Sequence, residues 1–115
     1  KIKLPLSAFL SITHRISGIL IFFIVLPVSV FIFSELTQSQ DSFNNFMNMY
    51  HTNFGIKFGC VGLILIFQYH IFTGVRHILM DFHILNESLS SSYKSAVTTL
   101  VLFAVNALLT LWVML

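Results

Sequence analysis

Apolar residues fall into three long runs, and none of these runs contains a charged side chain. The runs cover residues 16–33, 58–75 and 96–115. A helix needs about 20 mostly apolar residues to cross a bilayer, so each run suffices once its flanks are included. Strands are excluded, because an open sheet cannot satisfy its backbone in lipid and three spans cannot close a barrel. The pattern predicts an all-α integral membrane protein, a single membrane-anchor domain over residues 1–115 with transmembrane helices at about 12–35, 54–80 and 94–115.

The segments between the runs are polar. Residues 35–53 are rich in Ser, Asn and Gln, with a helix-start signal at Asp41 and Ser42. Residues 81–95 contain the serine-rich segment 88–92, which predicts a loop that leads into the third helix. Pro27 lies inside the first run and predicts a bend there, because proline lacks a backbone N–H.

Composition agrees with this interpretation. Of the 115 residues, 57% are hydrophobic and 9% are charged, whereas a soluble domain has about 25% charged residues. Lipid or another protein must therefore cover most of the surface, and the run lengths disfavour the alternative of a soluble domain with a buried core. The single cysteine, Cys60, excludes a disulfide framework and a cysteine metal site. A formal net charge of +2 is too small to indicate nucleic-acid binding, so no nucleic-acid partner is expected.

The basic residues predict the orientation. With the N-terminus inside, in the cytoplasm or the mitochondrial matrix, Lys57 is the only Lys or Arg left outside, and the others lie inside: Lys1, Lys3, Arg15, Arg76 and Lys94. An excess of basic residues in short inner segments is the positive-inside pattern. We therefore expect the N-terminus inside and the C-terminus at the outer face.

One histidine, His70, lies within the second apolar run, where ionisable groups are costly and usually functional. Helical spacing puts it on one face with Thr73, Gly74 and His77. A glycine one turn from a histidine leaves room for a flat macrocycle, which favours His70 as an axial ligand of haem iron. The alternative is a histidine that hydrogen-bonds a neighbouring helix, with Gly74 permitting close packing. The spacing alone leaves both interpretations open.

A second axial ligand is not expected within this chain. His77 lies about 10 Å from His70 along the helix, too far to bind the same iron. We expect His14, His51 and His83 at or beyond the span ends, at a different depth. A bis-histidine haem would therefore need a ligand from another subunit.

Polar residues also gather at the inner ends of the first two helices. His14 and Arg15 precede the first run, and Arg76 and His77 close the second, a set that suits anionic groups such as haem propionates. The alternative is that each arginine simply flanks a transmembrane helix on its inner side, as the positive-inside pattern predicts.

Ser11 lies four residues before Arg15, so the two side chains are expected to converge. A hydroxyl beside a guanidinium suits the ketone oxygen of a quinone. A helix N-cap or loop serine is the alternative for Ser11.

These residues resemble a known family. One segment is similar to the S-x-x-H-R-x-S-G signature of the first helix of the succinate dehydrogenase cytochrome b556 subunit: Ser11-Ile12-Thr13-His14-Arg15-Ile16-Ser17-Gly18. A second group of residues resembles the second-helix signature of that family and has the same spacing. This group is His70, Gly74, Arg76, His77 and Asp81. The likeness extends over nearly the whole chain, because three spans in this order are the size and topology of that family.

The resemblance implies a membrane-anchor subunit of succinate:quinone oxidoreductase, respiratory complex II. Such a subunit anchors the flavoprotein and iron–sulfur subunits, and it shares one haem b with a second small anchor subunit that supplies the other ligand. By position, His70 is the axial ligand to the haem iron and His14, Arg15 and His77 lie near the propionates. Ser11 and Arg15 match the ubiquinone site. The membrane would be the mitochondrial inner or the bacterial cytoplasmic membrane.

The resemblance also implies that the chain binds and positions cofactors and substrate rather than catalysing a reaction alone. One rival is the anchor of a fumarate reductase or another haem b quinone oxidoreductase. A second rival, from a different class, is a haem-free membrane scaffold or small transporter subunit.

Overall fold

The computed structural model describes the backbone of residues 5–84 and 89–115, and the side chains of residues 5–84 and 91–115. Its helices are α1 (Leu6–Gln38), α2 (Gln40–Thr52), α3 (Phe54–Asp81) and α4 (Leu89–Met114). No strand occurs in the described ranges. Within the part of the chain that the structure describes, three helical segments are long and apolar enough to span a membrane, namely Leu6–Gln38, Phe54–Asp81 and Ser91–Met114. The prediction of an all-α integral membrane protein with three transmembrane helices is confirmed.

Helix α1 contains a π-helical segment just before its proline. Residues Ile21–Val25 form this segment, and the N–H of Leu26 donates to the carbonyl of Ile21, five residues earlier. Pro27 lacks an N–H, and its ring crowds the carbonyl four residues before it, which disturbs a regular helix at this point. The structure thus widens the helix ahead of Pro27, and α1 continues to Gln38.

Single residues connect the first three helices, and each one caps the helix that follows. Ser39 accepts a hydrogen bond from the N–H of Ser42 at 3.0 Å, so α2 begins beside the predicted start signal. Asn53 accepts from the N–H groups of Gly55 and Ile56 and so caps α3. These side chains satisfy N–H groups that have no partner within their own helix.

Helix α3 contacts both α1 and α4, and α1 and α4 also contact each other. Among the described side chains, few apolar ones are buried: Leu10, Val25, Phe46, Val61 and Ala96. Large apolar side chains such as Phe22, Phe31 and Trp112 are exposed. Membrane lipid or a partner must cover this surface, as the low content of charged residues indicated.

The predicted loop before the third span is wrong in part. Residues 85–88 lie outside the described residues, but the backbone is helical from Leu89 onward. Ser92 and Ser95 face α3, where the guanidinium of Arg76 donates hydrogen bonds to them. The serines therefore belong to a polar contact between helices, which a compositional argument does not detect.

Candidate functional site

Two histidines from different helices stack where α1 crosses α3. The ring centroids of His14 and His70 are 4.2 Å apart, and the ring planes differ by 10°. His77 continues this row, with its ring centroid 5.1 Å from that of His14 and its plane tilted by 37°. We call His14, His70 and His77 the histidine row.

Glycines allow this close approach. A Cβ added to Gly18 on α1 would lie 3.3 Å from Cε1 of His70. A Cβ added to Gly74 on α3 would lie 3.2 Å from Cε1 of His14. Each imidazole therefore lies against a glycine of the other helix, and small residues are what membrane helices use to pack closely. The space beside Gly74 is filled by the ring of His14, which favours the packing interpretation of that glycine.

Hydroxyl groups hold the two stacked rings. Nδ1 of His70 lies 2.9 Å from Oγ of Ser17, and Nδ1 of His14 lies 2.7 Å from Oγ1 of Thr73. Ser17 and Thr73 are both buried. A further hydrogen bond, between Thr13 and the phenol of Tyr69, joins the same two helices. The row is thus fixed by hydrogen bonds from both helices.

The N-terminal end of the row reaches Ser11. Its Oγ lies 3.3 Å from Nε2 of His77. Arg15 lies one turn further along α1 and its side chain is exposed. The structure therefore brings Ser11, His14, His70 and His77 into one cluster, with Arg15 at its exposed side.

The expected depth of His14 is wrong. Its ring stacks on that of His70 with the centroids 4.2 Å apart, which is less than one helical turn. The first apolar run suggested that His14 lies at the helix end, but α1 begins at Leu6 and places His14 well inside the helix. The polar residues before the run face α3 and are part of the helix packing. His51 and His83 are exposed, away from this cluster.

The predicted grouping of Arg76 with the histidines is also wrong. Arg76 is 3% exposed, and its guanidinium points to α4. Its Nε donates to Oγ of Ser95 at 3.1 Å, and its Nη2 donates to the carbonyl and hydroxyl oxygens of Ser92 at 3.2 and 3.1 Å. Arg76 therefore stabilises the contact between α3 and α4.

Ser17 had no predicted role. The signal was present, because Ser17 lies within the quoted first-helix signature and three residues after His14, on the same face of the helix. Thr73, the hydroxyl partner of His14, was placed on the His70 face, but without a function. Across the described side chains, no group of three or more His, Cys, Asp and Glu residues forms a metal-binding set.

Comparisons with known proteins show the family to which the chain belongs. Residues 1–112 match the family described as succinate dehydrogenase/fumarate reductase transmembrane subunit. The chain is 33% identical over 81 residues to the succinate dehydrogenase cytochrome b556 subunit of Coxiella burnetii, covering 70% of this chain and 64% of that protein. It is also 33% identical over 97 residues to the succinate dehydrogenase cytochrome b560 subunit of Porphyra purpurea, covering 84% of this chain and 76% of that protein.

The family match reaches into all three spans and contains the whole histidine row. The chain spans just under two thirds of the length of the Coxiella relative. The chain belongs to the succinate dehydrogenase/fumarate reductase transmembrane subunit family.

Proposed function

We propose that the chain is a membrane-anchor subunit of succinate:quinone oxidoreductase that binds haem b and forms part of the ubiquinone site. It acts as a single membrane-anchor domain, with its N-terminus on the side where the iron–sulfur and flavoprotein subunits dock. The observation that carries the proposal is His70, a histidine within an apolar span whose ring is held through Nδ1. Alone, the chain catalyses nothing, because succinate oxidation takes place in the soluble subunits.

The donor set at His70 fits an axial ligand. Nδ1 lies against Ser17, whereas no described residue forms a hydrogen bond with Nε2, and the side chain is half-buried. Imidazole binds haem iron through one ring nitrogen while the other is hydrogen-bonded. Haem b, when bound, supplies one-electron redox chemistry. A second small anchor subunit supplies the other ligand.

His14 and His77 serve the charged edge of the haem site in this proposal. Both lie on the side of His70 that leads to Ser11 and to the N-terminal end of α1. Arg15 adds an exposed cation at that end, where a propionate carboxylate would accept its hydrogen bonds. Arg76 takes no part, because Ser92 and Ser95 accept the hydrogen bonds of its guanidinium.

Ser11 and Arg15 form the quinone contact of the proposal. The Ser11 hydroxyl can accept from His77 and still donate its own proton to a ketone oxygen. Arg15 stabilises negative charge that develops on that oxygen as the quinone is reduced. The chain's contribution is to hold the quinone and offset this charge while electrons arrive from the iron–sulfur subunit.

An optical difference spectrum tests the ligand role. In the purified complex, His70→Leu should abolish the reduced-minus-oxidised b-type signal, whereas His51→Leu, an exposed histidine on α2, should leave it unchanged. A normal haem signal in His70→Leu would show that another residue binds the iron.

Two activity assays test the quinone contact. Arg15→Ala should impair quinone reduction while succinate oxidation with an artificial acceptor continues, and Lys57→Ala at the other end of the bundle should affect neither. Equal loss of both activities in Arg15→Ala would indicate failed assembly rather than a lost quinone contact.

The family description includes fumarate reductase, so an anchor of that enzyme is the second candidate. The names of the two relatives, both cytochrome subunits of succinate dehydrogenase, favour the first. Measuring turnover in both directions with quinones of high and low potential separates the two. A haem-free scaffold instead predicts a wild-type complex without any b-type signal.

A further inference from the structure

Ser17 is buried at the centre of the cluster and contacts both stacked histidines. It is 5% exposed. Its Oγ lies 2.7 Å from the backbone carbonyl of His14 and 2.9 Å from Nδ1 of His70. One hydroxyl therefore joins the backbone of α1 to the imidazole of α3.

The direction of these two hydrogen bonds follows from the proton count. A carbonyl oxygen accepts only, and a serine hydroxyl has one proton. Ser17 therefore donates to the carbonyl of His14, and its lone pair faces Nδ1 of His70. Nδ1 must carry the proton for this contact to be a hydrogen bond. In neutral His70, the free lone pair is then on Nε2.

Thr73 acts on His14 in the same way. Its Oγ1 lies 2.8 Å from the carbonyl of Tyr69 and 3.3 Å from that of His70, so its proton goes to a backbone carbonyl. Nδ1 of His14 then donates to Thr73. The two stacked rings share one tautomer, and each is fixed by a buried hydroxyl whose own proton is already used.

We propose that Ser17 is a positioning residue for His70. It fixes the tautomer and the ring plane that present Nε2 to iron, and its lone pair raises the basicity of the imidazole. The proposal rests on the proposed role of His70 as a haem ligand. Groups that accept the second N–H of a ligating histidine orient the ring and strengthen it as a donor.

Loss of the hydroxyl has two consequences. Without an acceptor at Nδ1, the ring can turn and adopt the other tautomer, so we expect haem affinity to fall roughly 10–100-fold. A less basic imidazole also stabilises ferric iron less, so the midpoint potential of the remaining haem should rise. A purely structural serine would not shift the potential in this direction.

The test compares variants of the purified complex by haem per assembled complex and by redox titration of the b-type signal. Ser17→Ala should lower haem content and raise the midpoint potential. Ser17→Thr keeps a hydroxyl at the same position and should restore both. Ser34→Ala removes an exposed serine further along α1 and should match the wild type.

Two results would overturn the role of Ser17. One is a wild-type haem content and potential in Ser17→Ala. The other is an equal shift in Ser17→Ala and Ser17→Thr, which would indicate packing rather than hydrogen bonding. His70→Leu is measured in parallel, and haem retained in that variant would refute the ligand assignment itself.

Discussion

The imidazole rings of His14 and His70 stack at 4.2 Å, and each ring lies against a glycine of the opposite helix. Gly18 receives the ring of His70, and Gly74 receives the ring of His14. The two signatures that resemble the family therefore contact each other directly, one from each helix. A change at either glycine should act on the histidine of the other helix.

Alanine at Gly18 or Gly74 should displace a histidine. The added Cβ would lie 3.3 Å from His70 or 3.2 Å from His14, tighter than ordinary contact. Overpacking costs about 1–3 kcal/mol of unfolding free energy, against a helix-propensity gain of about 1 kcal/mol for Gly→Ala. Because the stacked imidazoles leave little room to give, we expect a net loss, which thermal denaturation of the complex in detergent would measure. Gly18→Ala should also lower haem content, because it moves the proposed ligand.

Gly62 provides the matched control for these two variants. A Cβ there would meet no atom within 4 Å, so Gly62→Ala should keep or slightly raise stability through its better helix propensity. Equal destabilisation by all three substitutions would mean that the contacts with the histidines are not the cause.

The sequence predicts what depends on the apolar runs and misses what depends on helix rotation and packing. The three spans follow from the lengths of the runs. The depth of His14 could not be predicted from these lengths, because polar residues that face another helix look the same in a sequence as residues that flank the membrane. Arg76 was grouped with the histidines only because it lies at a similar depth in the membrane. The direction in which its side chain points depends on how α4 packs against α3.

Arg76 should affect stability without affecting the haem potential. Arg76→Lys keeps the charge but loses the forked hydrogen bonds to Ser92 and Ser95. Lost hydrogen bonds to a charged group cost about 1.5–3 kcal/mol of unfolding free energy. Thermal denaturation would detect this loss, and redox titration should give an unchanged midpoint potential. Lys94→Ala, at an exposed cation near the start of α4, is the control. A shift of the haem midpoint potential in Arg76→Lys would show that Arg76 acts on the haem after all.

Gln68 should be dispensable for stability, whereas its hydrogen-bond partner Thr110 should not be. Its Nε2 donates to Oγ1 of Thr110 at 2.8 Å, while its buried Oε1 has no partner among the described residues. Gln68→Leu removes this unsatisfied acceptor and should be neutral or stabilising. Thr110→Val leaves the whole amide unsatisfied and should cost about 1–2 kcal/mol. Denaturation of both single variants and the double variant would measure the coupling. A Gln68→Leu variant less stable than Thr110→Val would mean that a group outside this chain binds Oε1.

Tyr50 should stabilise the chain only while its phenol is protonated. The hydroxyl donates to the backbone carbonyl of Met114 at 2.8 Å and so ties α2 to the end of α4. Burial, with a smaller contribution from Cys60, raises the pKa of Tyr50 above its usual 10.0. A raised pKa favours the protonated form in the folded state, so the stabilisation is complete below pH 10 and is lost as the pH rises through the raised value.

Tyr50→Phe should therefore cost about 1 kcal/mol of unfolding free energy near neutral pH, and the difference from wild type should shrink in alkaline solution. Denaturation across this pH range measures the difference, with the exposed Tyr93→Phe as the control. A difference that does not change with pH would show that the pKa of Tyr50 is the same in the folded and the unfolded chain.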